Sequence, residues 1–308
     1  MVISVGPAGR GGFGQRTQIL HACAKRHHWK GVGPLSVKCF FKGEATYRVG
    51  RACYALRERE YLILNRGQSY EISVDSKAPA ESLCVFFAAG FVEDVHRSLT
   101  LRSSQLLNDP RTPVLSELNF FERIYPRDDL LSPLLLQLRN ELSPRQPKPG
   151  WLEGRIHRIA MAMLRVHRRE CQRTELLGAL RPATREELYR RLNRARDYAR
   201  SLFDQPLTLD DLAGVACMST NHFLRTFRQA FGRTPHRFLN EYRLEAARRM
   251  LSSSACSVTD VCLATGFQSL GSFSWSFRRR FGLPPTAWQK KVISEKRRTA
   301  GAGILPWK

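Results

Sequence analysis

The chain has 308 residues, enough for two domains with their own cores, and a formal net charge of +23 that points to a polyanionic partner. No apolar run approaches the roughly 18 residues of a membrane span, and no apolar segment follows the basic N-terminus, so neither membrane insertion nor a signal peptide is expected. The eight cysteines (Cys23, Cys39, Cys53, Cys84, Cys171, Cys217, Cys256 and Cys262) form no C-x-x-C pair, which argues for a reducing, cytoplasmic setting without a disulfide framework or structural zinc.

The charge is unevenly placed. Residues 1–30 carry +5, residues 31–144 are neutral, residues 145–185 carry +7 and residues 186–308 carry +11. A neutral domain flanked by basic segments suits a sensing or assembly domain joined to a nucleic-acid-binding one. An arginine-rich proteome would give the same total, so charge alone decides nothing.

Residues 1–30 contain a Gly-Arg-Gly-Gly-Phe-Gly stretch and read as a flexible basic arm. The His27, His28, Trp29 cluster lacks a carboxylate at ligand spacing, so no metal is expected there. Residues 34–90 read as β, with strands at 35–41, 45–49, 61–64, 70–74 and 83–87 separated by breaks such as Lys42-Gly43. Strands at this spacing predict a small barrel or sandwich. Residues 91–180 turn helical, with Ser132-Pro133 as an N-cap and first helical position. After a Pro-rich break at 143–150, residues 151–170 form an amphipathic helix with Leu152, Ile156, Ile159, Met163 and Val166 as its stripe. The stripe packs on its own β domain or serves self-association, and both readings stay open. Residues 31–144 are expected to fold alone.

Residues 208–285 contain a duplication. Phe223, Phe227, Phe231, Gly232 and Pro235 recur, each 50 positions later, as Phe273, Phe277, Phe281, Gly282 and Pro285. In each copy a capping box opens a short helix, Thr208 with Asp211 and Ser257 with Asp260. A turn follows through Cys217-Met218 or Gly266-Phe267. Ser219 or Ser269 then caps a second helix whose Phe residues, spaced by four, form its buried stripe. The glycines end it in the left-handed conformation. Helix, tight turn and helix within about 20 residues is a helix-turn-helix. Residues 235–252 join the copies as one long helix.

Turning the first recognition helix so that Phe223 points inward brings Asn221, Arg225 and Arg228 outward, with Leu224 on the flank. Asn and Arg make bidentate contacts to adenine and guanine edges in the major groove. In the second copy Gly271, Trp275 and Arg278 point outward, with Leu270 and Ser274 nearby. That face has little hydrogen-bonding code, although Arg278, Arg279 and Arg280 can grip phosphates. Trp275 has three available covers: thymine methyls, a second protein, or the long helix of its own domain.

With these residues placed, 188–292 resembles the AraC/XylS family of bacterial regulators. The match includes Leu209-Asp210-Asp211-Leu212-Ala213, Met218-Ser219 with His222-Phe223, Arg243-Leu244-Glu245-Ala246-Ala247-Arg248, Gly266-Phe267 with Ser269, and Phe277-Arg278-Arg279-Arg280-Phe281-Gly282 with Pro285. The resemblance implies an α+β protein: a cupin-like β domain with helices at 31–180, an all-α domain with two helix-turn-helix motifs at 186–292, and a basic tail at 293–308. It places the base-contact positions at Asn221, Leu224 and Arg225, then Leu270, Gly271 and Trp275, of which Asn221, Leu224, Arg225 and Trp275 are expected to read bases. Phosphate or flanking contacts fall at Ser219, Thr220, Arg228, Ser269, Ser272, Ser274, Arg278 and Arg279. Its partners are double-stranded DNA and RNA polymerase, with a small-molecule effector and a homodimer as further partners, and no cofactor. The function implied is an activator of transcription controlled through the N-terminal domain, and not an enzyme. Residues 31–95 contain no histidine, which argues against a metal-dependent cupin. An architectural or DNA-repair-associated protein is the alternative, but no Pro-Cys pair exists for a repair methyl acceptor.

Overall fold

The computed structural model describes residues 2–5, 16–50, 52–100, 118–142, 149–178, 181–253 and 256–301. The glycine-rich stretch at 9–14, residues 143–148 of the Pro-rich break and residues 302–308 of the tail lie outside them. The chain divides into two compact units, Met1–Ser201 with Val215–Cys217, and Leu202–Gly214 with Met218–Lys308.

The first unit is built on a sheet of β1 (Val2–Val5), β2 (Thr17–Val32), β3 (Ser36–Lys42), β4 (Ala45–Val49), β5 (Ala52–Leu56), β6 (Glu60–Leu64), β7 (Ser69–Phe86) and β8 (Ile124–Pro126). The main strand order is β1-β2-β7-β3-β6-β8, with β4 pairing both β5 and β7. All these ladders are antiparallel. Strand side chains alternate between faces. On β6, Tyr61 and Ile63 join one core while Leu62 and Leu64 join the other. Burial of both faces explains why the strands read as continuous apolar runs.

Two sequence expectations change here. The basic arm is not an arm from Thr17 onward. Residues 17–32 are β2, paired with β7 along its length from Gln18↔Phe86 to Val32↔Ser69 with one irregularity between Ala24 and Arg26. Its exposed basic residues masked a strand whose order comes from its partner: Ile19 is fully buried, whereas residues 25–30 are exposed or nearly so. The runs at 70–74 and 83–87 are likewise one strand, β7, which pairs with β2 on both sides of an irregularity, up to Asp75 and again from Ala80. β1, which lies within the expected arm, β5 and β8 were not expected.

Among the described residues, helices α1 (Phe91–Thr100), α2 (Ser132–Glu141), α3 (Pro149–Thr174) and α4 (Pro182–Ser201) complete this unit. The N-cap of α2 is Leu131, one residue before the expected Ser132. Asp128 satisfies the helix start instead, its Oδ1 accepting from the Leu130, Leu131 and Ser132 amides at 3.2, 2.8 and 2.9 Å. All five stripe residues of α3 lie in the core shared with the sheet. That settles the open choice for α3: its apolar face packs on its own β unit. The same packing speaks against 31–144 as a self-sufficient piece, since most of β2 and all of α3 lie outside that span and both contribute to the core.

The boundary expected at 186 falls inside α4, whose polar side chains serve the β unit. Asp197 Oδ2 accepts from the Ile124 amide at 2.8 Å, and Ser201 Oγ accepts from the Ala55 amide at 2.8 Å. Beside them Arg123 and Glu170, both 4% exposed at the side chain, form a buried ion pair. Tyr189 Oη donates to Glu170 at 2.8 Å, and Arg173 pairs with the same carboxylate at 2.7 Å.

The second unit is helical: α5 (Leu209–Val215), α6 (Thr220–Phe231), α7 (Pro235–Ser253), α8 (Val258–Ala264), α9 (Leu270–Phe281) and α10 (Pro285–Gly301). The expected basic tail begins inside α10, so residues 293–301 are helical.

Candidate nucleic-acid interface

Each helix pair is fixed by the devices its sequence announces. Thr208 and Asp211 exchange backbone bonds, the Thr208 amide donating to Asp211 at 2.9 Å and the Asp211 amide to Thr208 Oγ1 at 3.1 Å. Ser257 and Asp260 form the same reciprocal box. Asp211 is held below the usual carboxylate range, chiefly by the Thr208 hydroxyl. The turns differ chemically but not conformationally: Cys217 has φ 52° and Gly266 φ 77°. At Gly266 a Cβ would lie 2.8 Å from the Asp204 carbonyl oxygen, so only glycine fits.

The recognition helices are α6 and α9. Phe223 and Phe227 are buried on α6 and stack edgewise with ring centroids 5.4 Å apart, as Phe273 and Phe277 do on α9 at 5.7 Å. The α9 stripe packs with Leu244, Ala247 and Leu251 of α7 and with Val261 of α8. Gly232 and Gly282 close the two helices in the left-handed conformation, at φ 67° and 79°. The buried faces dictate the outward ones.

On α6, Asn221, Arg225 and Arg228 are exposed and Leu224 is half-buried. Ser219 occupies the N-cap with extended backbone, yet its side chain makes no capping bond. Thr220 Oγ1 donates to Asp210 at 2.5 Å, tying the start of α6 to α5. On α9, Ser269 caps the helix by accepting from the Ser272 amide at 3.2 Å. Ser272, Arg278, Arg279 and Arg280 are exposed and Ser274 is half-buried. Trp275 is 62% exposed, and the Arg279 guanidinium sits 5.1 Å from its ring centre. The reading in which Trp275 folds back on the long helix is therefore set aside, since a covered indole would not keep most of its surface in water. Leu270 is 45% exposed beside it in sequence.

Two residues of this unit had no assigned purpose. Arg243 reaches from α7 to the chain before α5, Nε donating to the Phe203 carbonyl at 2.6 Å and Nη2 to Gln205 at 2.8 Å. Trp288 of α10 donates from Nε1 to Ser252 at 3.1 Å. Both are structural, and the polarity of Arg243 alone would have placed it on a solvated face.

Two helix pairs, with Asn221 and Arg225 exposed on α6 and Arg278, Arg279 and Arg280 exposed on α9, joined by the single helix α7, define a double helix-turn-helix DNA-binding module. The family model described as "Helix-turn-helix domain" matches residues 212–291. Residues 212–291 are therefore similar to that helix-turn-helix domain family. The HTH-type transcriptional regulator ArgR of Pseudomonas aeruginosa is 37% identical over 82 residues, 27% of this chain and 25% of its own length. The virulence regulon transcriptional activator VirF of Yersinia enterocolitica is 27% identical over 251 residues, 80% of this chain and 85% of its own. Among solved structures, the DNA-binding domain of AdpA in complex with a target DNA is 29% identical, covers 34% of this chain and 96% of that chain, and superposes with a TM-score of 0.34. The chain spans only about a quarter of the length of relatives such as ArgR. Among the described residues no helix is long and apolar enough to cross a membrane.

Proposed function

We propose that this chain is a DNA-binding activator of transcription whose first unit senses an effector and whose second unit selects the operator. The observation that carries it is the duplicated helix pair with its recognition faces left in water: Asn221, Arg225 and Arg228 on α6, and Trp275 and Arg278–Arg280 on α9. In this reading Asn221 and Arg225 read base edges, Leu224 and Trp275 lie against thymine methyls, and the remaining Ser, Thr and Arg positions hold phosphates. Ser219, Thr220, Arg228, Ser269, Ser272, Ser274, Arg278 and Arg279 are assigned to that second task. RNA polymerase is the proposed protein partner. A homodimer contact is proposed on the first unit outside the α3 stripe, which its own core occupies.

Selection of bound sequences from random duplex DNA by the full chain tests the proposal. The expected result is one enriched motif with two half-sites about one turn, roughly 34 Å, apart. Binding without enrichment would favour the architectural alternative.

A further inference from the structure

A cavity of about 260 Å³ opens in the first unit between the end of β3, the start of β6 and the first turns of α2. Its walls are apolar where Phe41, the Tyr61 ring, Leu135 and Leu136 meet, and cationic where Arg59, Arg127 and Arg139 stand. The three arginines differ in what they have left to give. Arg139 is committed: Nε and Nη2 donate to the two oxygens of Glu81 at 2.7 and 2.9 Å, and its guanidinium lies 5.3 Å from the Phe41 ring centre. Arg59 and Arg127 are exposed and make no side-chain hydrogen bond or ion pair among the described residues.

The acids nearby direct their oxygens at other partners. Glu60, which lines the cavity, pairs with Arg200 and accepts from the Arg57 amide at 3.2 Å. Asp128 holds the start of α2 with one oxygen and accepts from Tyr61 Oη at 2.5 Å with the other. Arg59 is also one of two non-glycine residues with positive φ among the described residues, at 65°. Its amide is fixed by donation to the Phe40 carbonyl at 3.3 Å. A side chain held in a sparsely populated backbone conformation at a cavity mouth is strain of the kind that collects at ligand sites.

We propose that this cavity binds a small amphipathic monocarboxylate, its carboxylate between Arg59 and Arg127 and its apolar body against Phe41, Leu135 and Leu136. The size fits, since 260 Å³ is about nine water-sized groups, the bulk of a benzoate or a short-chain acid. The charge fits, since two unpaired guanidiniums recognise a carboxylate by charge-assisted bonds. A dianionic or strongly hydrated ligand would waste the apolar wall. This inference rests on the proposed sensing role and names its ligand class.

The test uses the full chain with benzoate, phenylacetate and hexanoate against their uncharged amides, read by methyl chemical shifts of Leu135 and Leu136 and by calorimetry. The expected result is saturable shifts with at least one acid and none with its amide. Arg59→Gln with Arg127→Gln should weaken binding at least about tenfold, the loss of one charge-assisted bond or more. Arg127→Lys should recover part of it. Shifts that are equal for acid and amide, absent for all three acids, or unchanged in the double variant would overturn the proposal. DNA binding by the same preparation, measured without ligand, separates the two readings. Its loss in the wild-type chain sinks the regulator, whereas its presence with an unresponsive cavity sinks only the carboxylate.

Discussion

At the scale of single residues, the interface depends on a few side chains whose roles differ in kind. Arg225 is exposed on α6 with no assigned protein partner, so its guanidinium is available for a base edge. Arg225→Ala should cost about 1–3 kcal/mol on the selected operator and relax one base position. Equal loss on operator and random DNA, measured by competition titration, would reduce Arg225 to a phosphate contact. Trp275 carries no charge, so Trp275→Ala should weaken operator binding while leaving the salt slope unchanged. Unchanged affinity with lost activation would transfer it to a polymerase contact. The Arg279 guanidinium over its ring also predicts that Arg279→Ala loosens the indole, which an increase in Trp275 fluorescence quenching by acrylamide would report. Gly266 acts through the backbone alone. Gly266→Ala should destabilise the second unit by about 1–3 kcal/mol, because left-handed backbone and a 2.8 Å approach to Asp204 both oppose a Cβ.

At the scale of elements, two polar clusters fasten the helices of the first unit to its sheet. Glu170 of α3 is shared by Arg123, Arg173 and Tyr189. Glu170→Ala leaves the Arg123 guanidinium buried without its carboxylate and should cost about 3–5 kcal/mol in denaturant unfolding. The pair Arg123→Met with Glu170→Leu should cost much less, since it removes both charges. Glu81 joins β7 to α2 through Arg139 and to β2 through His21. The Arg139 hydrogen bonds, with a further one from His21, hold its carboxyl down to about 2 against burial. A depressed carboxyl contributes stability that is complete above its unfolded value near 4.5 and is lost as pH falls toward 2. Unfolding free energy should therefore fall between those two pH values, and Glu81→Gln should flatten that part of the profile. An identical slope in the variant would assign acid sensitivity elsewhere.

At the scale of the whole molecule, α7 sets the spacing of the two recognition helices within the second unit. Its 19 residues span roughly 28 Å, close to one turn of duplex DNA. Inserting about half a turn of base pairs between the half-sites should abolish the contribution of one of them, and a footprint reduced to a single half-site would show it. The reach of the first core predicts that residues 31–144 alone do not unfold cooperatively whereas 1–201 do, since the shorter piece lacks most of β2 and all of α3.

The sequence by itself determined the second unit nearly in full. Its information is local: capping boxes, glycine stops and Phe residues spaced by four each act within one helix turn, and the buried stripe then dictates which side chains face out. Asn221, Arg225 and Trp275 were placed on the outward face by that rule alone. Tertiary structure decided what depends on partners distant in sequence. β2 was unreadable because its order comes from β7, some fifty residues away, and basic side chains on its solvent face outweighed its pattern. The stripe of α3 was legible but its mate was not, because an apolar face does not state what covers it. Nor could the sequence say that Arg139 is spent on Glu81 while Arg59 and Arg127 are not, since an arginine's partner is fixed only when the chain has brought the carboxylate to it.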